Sequence, residues 1–292
     1  MSCHGDSQAP DPARTGTATL PERLRVLLVG GPNVGKSTLF NALTGARQRT
    51  MNAPGTTVAL STGTWRTPFD SHGPATERVI VDLPGTYSLL ARSVDEQVSA
   101  DAVRQLAHSA GQDIGQPGVA VVVLDATALT RSLYLLAQVA ETGVPLVVAL
   151  TMLDLVAAAA DSPIAAVDAG TLAAALGAVL GIPVVPVNGR SRGDGGLRDL
   201  ALAVDDVAAI PRQLIGISAL PNGEVPDGAI PDLAREVAHA ESVFAWVEQV
   251  VAQVKARLAP DSGHQPQAAS GRRLRRTFSD RVDTVLLNPW AG

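Results

Sequence analysis

A chain of 292 residues with 46% hydrophobic content is long enough for one large domain, or a domain with an appendage, and apolar enough to bury a core. Its 23 basic and 28 acidic residues leave a formal net charge of -5, which argues against a nucleic-acid binder held by a general basic field. The single cysteine, Cys3, excludes an internal disulfide framework and fits a reducing compartment, and the histidines His4, His72, His108, His239 and His264 show no metal-ligand spacing.

Residues 1–22 are polar and lack the apolar stretch of a signal peptide, so a disordered leader is expected there. An apolar run over 24–29 reads as a buried strand and leads into Gly30-Gly31-Pro32-Asn33-Val34-Gly35-Lys36-Ser37-Thr38, after which a helix is expected over 36–43. Glycines at this spacing, between a strand and a helix, let backbone amides turn inward around a diphosphate. Lys36 then reaches the terminal phosphates and the Ser37 hydroxyl can ligate Mg2+. Gly31, Pro32, Asn33, Val34, Gly35, Lys36, Ser37 and Thr38 therefore form the expected phosphate-binding set. The chain contains one other lysine, Lys255, and uses arginine for its remaining basic side chains. A compact ammonium has been kept where a phosphate loop needs one.

The turn-rich stretch Asn52-Ala53-Pro54-Gly55-Thr56-Thr57 precedes an expected antiparallel edge strand over 58–65. A threonine here can complete a Mg2+ shell when a γ-phosphate is present, which would make the loop a switch; Thr57 is the choice and Thr56 its competitor. A short strand over 79–81 ends in Asp82-Leu83-Pro84-Gly85. Asp82 is placed to hold Mg2+ and the Gly85 amide to donate to a γ-phosphate. Helical patterns over 94–107, 129–141 and 171–180 alternate with apolar runs over 119–124, 146–150 and 183–187. Alternation of this kind predicts a mostly parallel sheet covered on both faces by helices, with ligands at the carboxyl ends of the strands.

Thr151-Met152-Leu153-Asp154 ends the strand over 146–150. A carboxylate there can accept hydrogen bonds from guanine N1 and N2, which adenine cannot supply, so Asp154 is the expected base discriminator. Asn188-Gly189-Arg190, after the run over 183–187, fits a last base-contacting loop with a backbone amide near Gly189. No apolar run is long enough to span a bilayer, because Asp125, Asp154, Asp161 and Asp168 interrupt the Val/Ala-rich stretches.

Residues 208–232 hold Pro and Gly without periodicity and read as an irregular connection. A helix follows, with Val237, Phe244, Val247, Val251, Val254 and Leu258 as its apolar stripe. Residues 259–271 are again loop-like, and a last amphipathic helix is expected over 279–287. The expected division is a leader over 1–22, a nucleotide domain over 23–203 and a small helical domain over 204–292.

Taken together, GGPNVGKSTLFNALTG over 30–45, DLPGTYSL over 82–89 and the acidic helix start Ser93-Val94-Asp95-Glu96 resemble the N-terminal cytosolic part of the FeoB family of bacterial ferrous iron transporters. Phe244-Ala245-Trp246 and the ending from Phe278 to Pro289 resemble that family's helical region and the approach to its first membrane span. The resemblance implies a P-loop NTPase G domain plus a small α-helical domain that binds and hydrolyses GTP and regulates a following membrane pore for Fe2+. It implies GTP or GDP with Mg2+ on Ser37, Thr57 and Asp82, and a K+ ion supported by Asn33. Lys36, Asn33 and Gly85 would carry hydrolysis. It also implies a location at the cytoplasmic face of the bacterial inner membrane, no nucleic-acid partner, and oligomers formed through the membrane region. Arg272, Arg273, Arg275, Arg276 and Arg281 read either as a solvated or disordered stretch or as the positive charge expected just before a membrane span.

The chain departs from that pattern at several positions. The family has Asn at Thr151 and commonly Ser-Ala at Asn188-Gly189, so weaker affinity on the base side is expected. A threonine has no amide to serve both base and phosphate loop. Ala53 replaces an aromatic residue and Ala59 an acid. Thr86 stands where many signalling GTPases have a catalytic glutamine, so intrinsic hydrolysis should be slow. The competing readings are a free-standing GTPase of the ribosome-assembly or tRNA-modification type, and a nucleotide sensor that hardly hydrolyses.

Overall fold

The computed structural model describes residues 23–45, 48–53, 57–65, 77–90, 93–110, 117–158, 167–191, 194–211, 214–215 and 231–259. The expected leader, the arginine cluster, the loop over 259–271 beyond its first residue and the last amphipathic helix lie outside these residues.

The sheet is built around β1 (Arg23–Gly30), whose Leu24 to Val29 are all 0% exposed except the partly buried Arg25. Parallel neighbours flank it, β4 (Glu77–Asp82) on one side and β5 (Gly118–Asp125) on the other. Beyond β5 the sheet continues in parallel through β6 (Leu146–Thr151) and β7 (Val184–Pro186). On the other side β3 (Ala59–Trp65) runs antiparallel to β4, and β2 (Gln48–Asn52) is antiparallel to β3, completing a 7-stranded sheet in the order β2-β3-β4-β1-β5-β6-β7. The strand expected at the sheet edge is therefore one position in, and β2 is the edge.

Alternate strand residues feed two cores, which is why the runs read as continuously apolar. Leu24, Val26, Leu28, Val119, Val121 and Val123 pack beneath α1 (Lys36–Thr44) and α6 (Leu197–Ala209). Leu27, Val29, Ala120, Val122, Leu124 and Val148 share the opposite core with α2 (Val94–Ala110), α3 (Leu129–Glu141), α5 (Ala169–Leu180) and α7 (Pro231–Leu258). A short α4 (Leu153–Ala158) follows β6.

A buried ion pair ties the first core to the sheet. Arg78, 1% exposed on β4, meets Asp205 of α6 through Nε at 3.0 Å and Nη2 at 2.5 Å, with its guanidinium 5.4 Å from the Trp65 ring centroid. Asp205 lies past the expected domain boundary at 203, and α6 runs through that boundary without a break.

The last helix is likewise integral to the nucleotide domain's core. Val243, Trp246, Val247, Val250, Val251 and Val254 are its buried face, whereas Val237 and Phe244 are half exposed. The expected stripe is thus rotated, with only Val247, Val251 and Val254 fully inside. Phe244 still lays its ring 4.7 Å from Tyr134 of α3, and His239 Nε2 stands 3.1 Å from Glu141 Oε2 at the end of α3. Burial raises the Glu141 pKa above its ordinary value, and His239 opposes that shift. Trp246 also donates its indole N–H to the Ile215 carbonyl at 3.2 Å, and Ile215 N–H donates to the Leu180 carbonyl at the end of α5.

Candidate functional site

The phosphate loop leaves β1 at Gly30 and enters α1 at Lys36. Gly35 caps this helix at φ 88, and Asn33 has φ 62, a backbone region that asparagine tolerates better than most residues. The first-turn amides of α1 are thereby left facing the loop, where an anion can accept them.

Lys36, 8% exposed, places Nζ 3.6 Å from Asp82 Oδ1, and Ser37 Oγ donates to Asp82 Oδ2 at 3.0 Å. Asp82 is the last residue of β4, directly beside Leu28 of β1 in the parallel register. Its Oδ1 is buried and has no hydrogen-bond partner. Burial raises the Asp82 pKa; the Lys36 charge and the hydrogen bond from Ser37 pull it down but do not outweigh the desolvation. A carboxylate with an unmet oxygen beside a serine hydroxyl is a hard-oxygen donor set that suits Mg2+ and its water shell. Among the described residues no cluster of three or more His, Cys, Asp or Glu side chains offers an all-protein metal cage.

The turn after Asp82 closes on the phosphate loop. A β-carbon added to Gly85 would stand 3.0 Å from Pro32 Cα and N, so this close approach requires glycine. Thr86 N–H donates to the Gly30 carbonyl at 3.1 Å. The Thr86 side chain is 1% exposed and turns onto Ser88, donating to its carbonyl and accepting its N–H, so it does not face the site. Thr57 stands apart, exposed just before β3, and no contact to Ser37 or Asp82 is found among the described residues. Residues 54–56, including Thr56, lie outside them. Ala53 N–H donates to the Val58 carbonyl at 2.8 Å, and Ala53 is buried, so the small side chain at this position fits the closure of the loop.

A cleft of about 290 Å3 opens from the phosphate loop toward the carboxyl ends of β6 and β7, lined among others by Thr38, Met152, Asp154, Asn188, Gly189 and Arg190. Asp154 sits exposed in the first turn of α4. The Asn188 side chain accepts the Arg190 N–H at 3.0 Å and so shapes its own loop. A β-carbon on Gly189 would stand 3.1 Å from the Thr38 carbonyl, which brings this loop against the start of α1.

Thr151 is where the structure adds most. Its side chain is buried, and its hydroxyl lies 2.8 Å from the Val34 carbonyl and 2.9 Å from the Leu124 carbonyl. One hydroxyl proton serves only one of these at a time. The threonine therefore keeps the tether to the phosphate loop that an amide would supply and offers nothing further toward a base. Met152 follows at φ 58, a costly conformation for a long side chain, and its methyl lies 3.5 Å from where a Gly35 β-carbon would be. It packs over the loop from the base side.

Three residues that sequence reasoning passed over also touch the site's surroundings. Tyr87 lies against Gly31, Arg131 stacks on Tyr87, and Gln138 binds the Leu89 backbone. Arg131 and Gln138 sit on a helix whose apolar period hides them, and only Tyr87 belongs to a quoted motif.

The family profile described as ferrous iron transport protein B matches residues 24–203. The Fe(2+) transporter FeoB of Salmonella typhimurium is 38% identical over 188 residues, covering 63% of this chain and 21% of that protein; the Escherichia coli K12 transporter matches to the same extent. The chain thus spans about a fifth of the length of these relatives. Among solved structures, the cytosolic domain of the T. maritima FeoB iron transporter in its GMPPNP form is 25% identical with a TM-score of 0.60, covering 79% of this chain and 98% of that one. The cytosolic domain of L. pneumophila FeoB is 28% identical with a TM-score of 0.54, covering 78% and 97%. A P-loop followed by a strand-end aspartate and a Gly85 turn, carried on a mixed sheet with these relatives, makes the chain a member of the ferrous iron transport protein B family, with that family's G-domain fold.

Proposed function

We propose that this chain is the GTP-binding and GTP-hydrolysing regulatory part of a ferrous iron transporter at the cytoplasmic face of a bacterial inner membrane. The observation that carries the reading is the Lys36, Ser37 and Asp82 cluster, with the buried Asp82 Oδ1, next in sequence to a cleft that runs from Gly35 and Thr38 to Asp154. The T. maritima relative in its GMPPNP form and the Salmonella Fe(2+) transporter support it. A nucleotide domain followed by a helical part belongs to the same proposal, with the boundary expected at 203 moved beyond the end of α6, as does a membrane pore region beyond them. Among the described residues no helix is long and apolar enough to cross a membrane.

In this reading the amides from Gly31 to Thr38 cradle the diphosphate and Lys36 offsets the charge of the terminal phosphates. Ser37, Asp82 and Thr57 would hold Mg2+, which neutralises phosphate charge as the γ-phosphate departs. Gly85 N–H donates to the γ-phosphate. Asn33 supports K+, a cation that can replace an arginine finger in offsetting charge. Asp154 selects guanine. Thr86, buried and turned onto Ser88, leaves the attacking water without a side-chain guide from that position, so turnover is slow.

The same Thr86 geometry favours a second reading, a sensor that binds nucleotide and hardly hydrolyses it. Single-turnover GTP hydrolysis in K+ and in Na+ separates the two. Faster turnover in K+ supports the GTPase; bound nucleotide with no turnover in either salt supports the sensor. Calorimetric titration with GDP, GTP and ATP tests the base assignment, and equal affinity for GTP and ATP would sink it.

A further inference from the structure

The turn after β4 is fastened from three sides. Leu83 N–H donates to the Leu28 carbonyl of β1 at 3.2 Å, and Ser99, fully buried on α2, donates to the Pro84 carbonyl at 3.1 Å. From α3, Gln138 accepts the Leu89 N–H on Oε1 at 2.8 Å. Gln138 is 5% exposed, between Ala137 and Val139, which are both 0% exposed. A buried amide on an apolar helix face is costly unless it is hydrogen-bonded, and the Leu89 N–H satisfies its oxygen.

Between those anchors lies Tyr87. Its ring rests against the phosphate loop so closely that a β-carbon on Gly31 would stand 2.9 Å from Cε1. The Arg131 guanidinium carbon, from the first turn of α3, lies 5.0 Å from the ring centroid. Tyr87 is 42% exposed, so burial alone does not hold it over the loop, and the cation on its ring adds a second attraction.

We propose that Arg131 and Gln138 are positioning residues for GTP hydrolysis, which fix the Gly85 turn on the phosphate loop by holding Tyr87 over Gly31 and Leu89 against α3. The proposal rests on the GTPase reading above. Hydrolysis depends on backbone donors being aimed before the reaction starts, and small misplacements are expensive. Gly85 lies between the Leu83 and Thr86 anchors on β1, and the Tyr87 and Leu89 contacts decide how that segment continues.

The test is single-turnover GTP hydrolysis of the whole chain, with GDP affinity measured in parallel. Arg131→Ala and Tyr87→Ala are each expected to slow hydrolysis about tenfold or more while GDP affinity changes less than about twofold. Tyr87→Phe should restore the rate, because a phenyl face also binds a cation. Arg131→Lys should restore it only in part, because an ammonium stacks less well than a planar guanidinium. Because Arg131 acts through the Tyr87 ring, adding Arg131→Ala to Tyr87→Ala should bring no further loss. Arg131 is exposed, so its removal does not threaten the fold. Unchanged or faster hydrolysis in Arg131→Ala, or additive losses at Arg131 and Tyr87, would overturn the proposal. Absence of turnover in the unmodified protein would instead overturn the GTPase reading on which it stands.

Discussion

The phosphate end of the cleft and its base end are built on different physical terms. At the phosphate end Lys36 is buried, Asp82 is desolvated, and the residues are locked to one another across β1, β4 and α1. At the base end Asp154 is exposed, Asn188 is turned onto its own loop, and Thr151 is taken up by the phosphate loop. Charges in a low-dielectric pocket interact strongly and are costly to leave without a partner, whereas an exposed carboxylate competes with water for its partner. The comparison teaches that a threonine at 151 can keep the phosphate loop tethered while leaving the base end with fewer polar groups.

Removing the ammonium is the largest way to break the contrast. Lys36→Ala is expected to cost about 3 kcal/mol or more in GDP binding, a hundredfold or greater rise in Kd by calorimetry. Asp154→Ala comes next, with an expected loss of about 2 kcal/mol in GTP affinity and none in ATP affinity, so that discrimination between the two disappears. A variant that still preferred GTP would move base selection elsewhere in the cleft.

Thr151 sharpens the comparison from both directions. Thr151→Val removes the hydroxyl between the Val34 and Leu124 carbonyls and should lower stability by about 1–2 kcal/mol in chemical denaturation. Thr151→Asn brings two amide protons where one hydroxyl proton can serve only one of two acceptors at a time, and should raise GDP affinity.

The smallest expected effect is a pH dependence at the phosphate end. Because burial raises the folded pKa of Asp82, the protonated form is favoured by folding. Its stabilising contribution is complete below the ordinary carboxylate value and is lost as pH rises through the raised one. Nucleotide-free protein should therefore lose stability across that window, and Asp82→Asn should flatten the loss in thermal unfolding. Glu141 is raised too, so the difference between the two proteins, not the slope of either, isolates Asp82.

Much of this fold is legible in the sequence because the sheet is buried on both faces. The strands expected over 24–29, 119–124 and 146–150 agree with β1, β5 and β6 to within a residue at each end, and the helix over 129–141 coincides with α3. What escaped had a physical reason. The edge strand β2 reads QRTMN, with Arg49 to Asn52 exposed, so no apolar alternation marks it. α6 carries Leu200, Val204 and Val207 at helical spacing, but it straddles the point where a change of composition suggested a boundary. The stripe of α7 was drawn through Phe244, one position from the buried Val243, since two apolar faces of a Val-rich helix differ by less than one turn. The phosphate-side residues followed from spacing alone. Tyr87, Arg131 and Gln138 did not, because their partners are distant in sequence and only the packing of α3 brings them together.

The shared core of α3, α5 and α7 has a practical consequence for anyone who shortens this chain. A version ending after α6 would retain Lys36, Ser37, Asp82, Asp154 and the loop around Asn188. It would also bare the surface that Val243, Trp246, Val247 and Val250 now cover. Contiguous apolar patches of that kind drive self-association. Such a fragment should bind nucleotide while eluting as larger species in gel filtration, so a catalytically intact preparation could still look like a poorly behaved one.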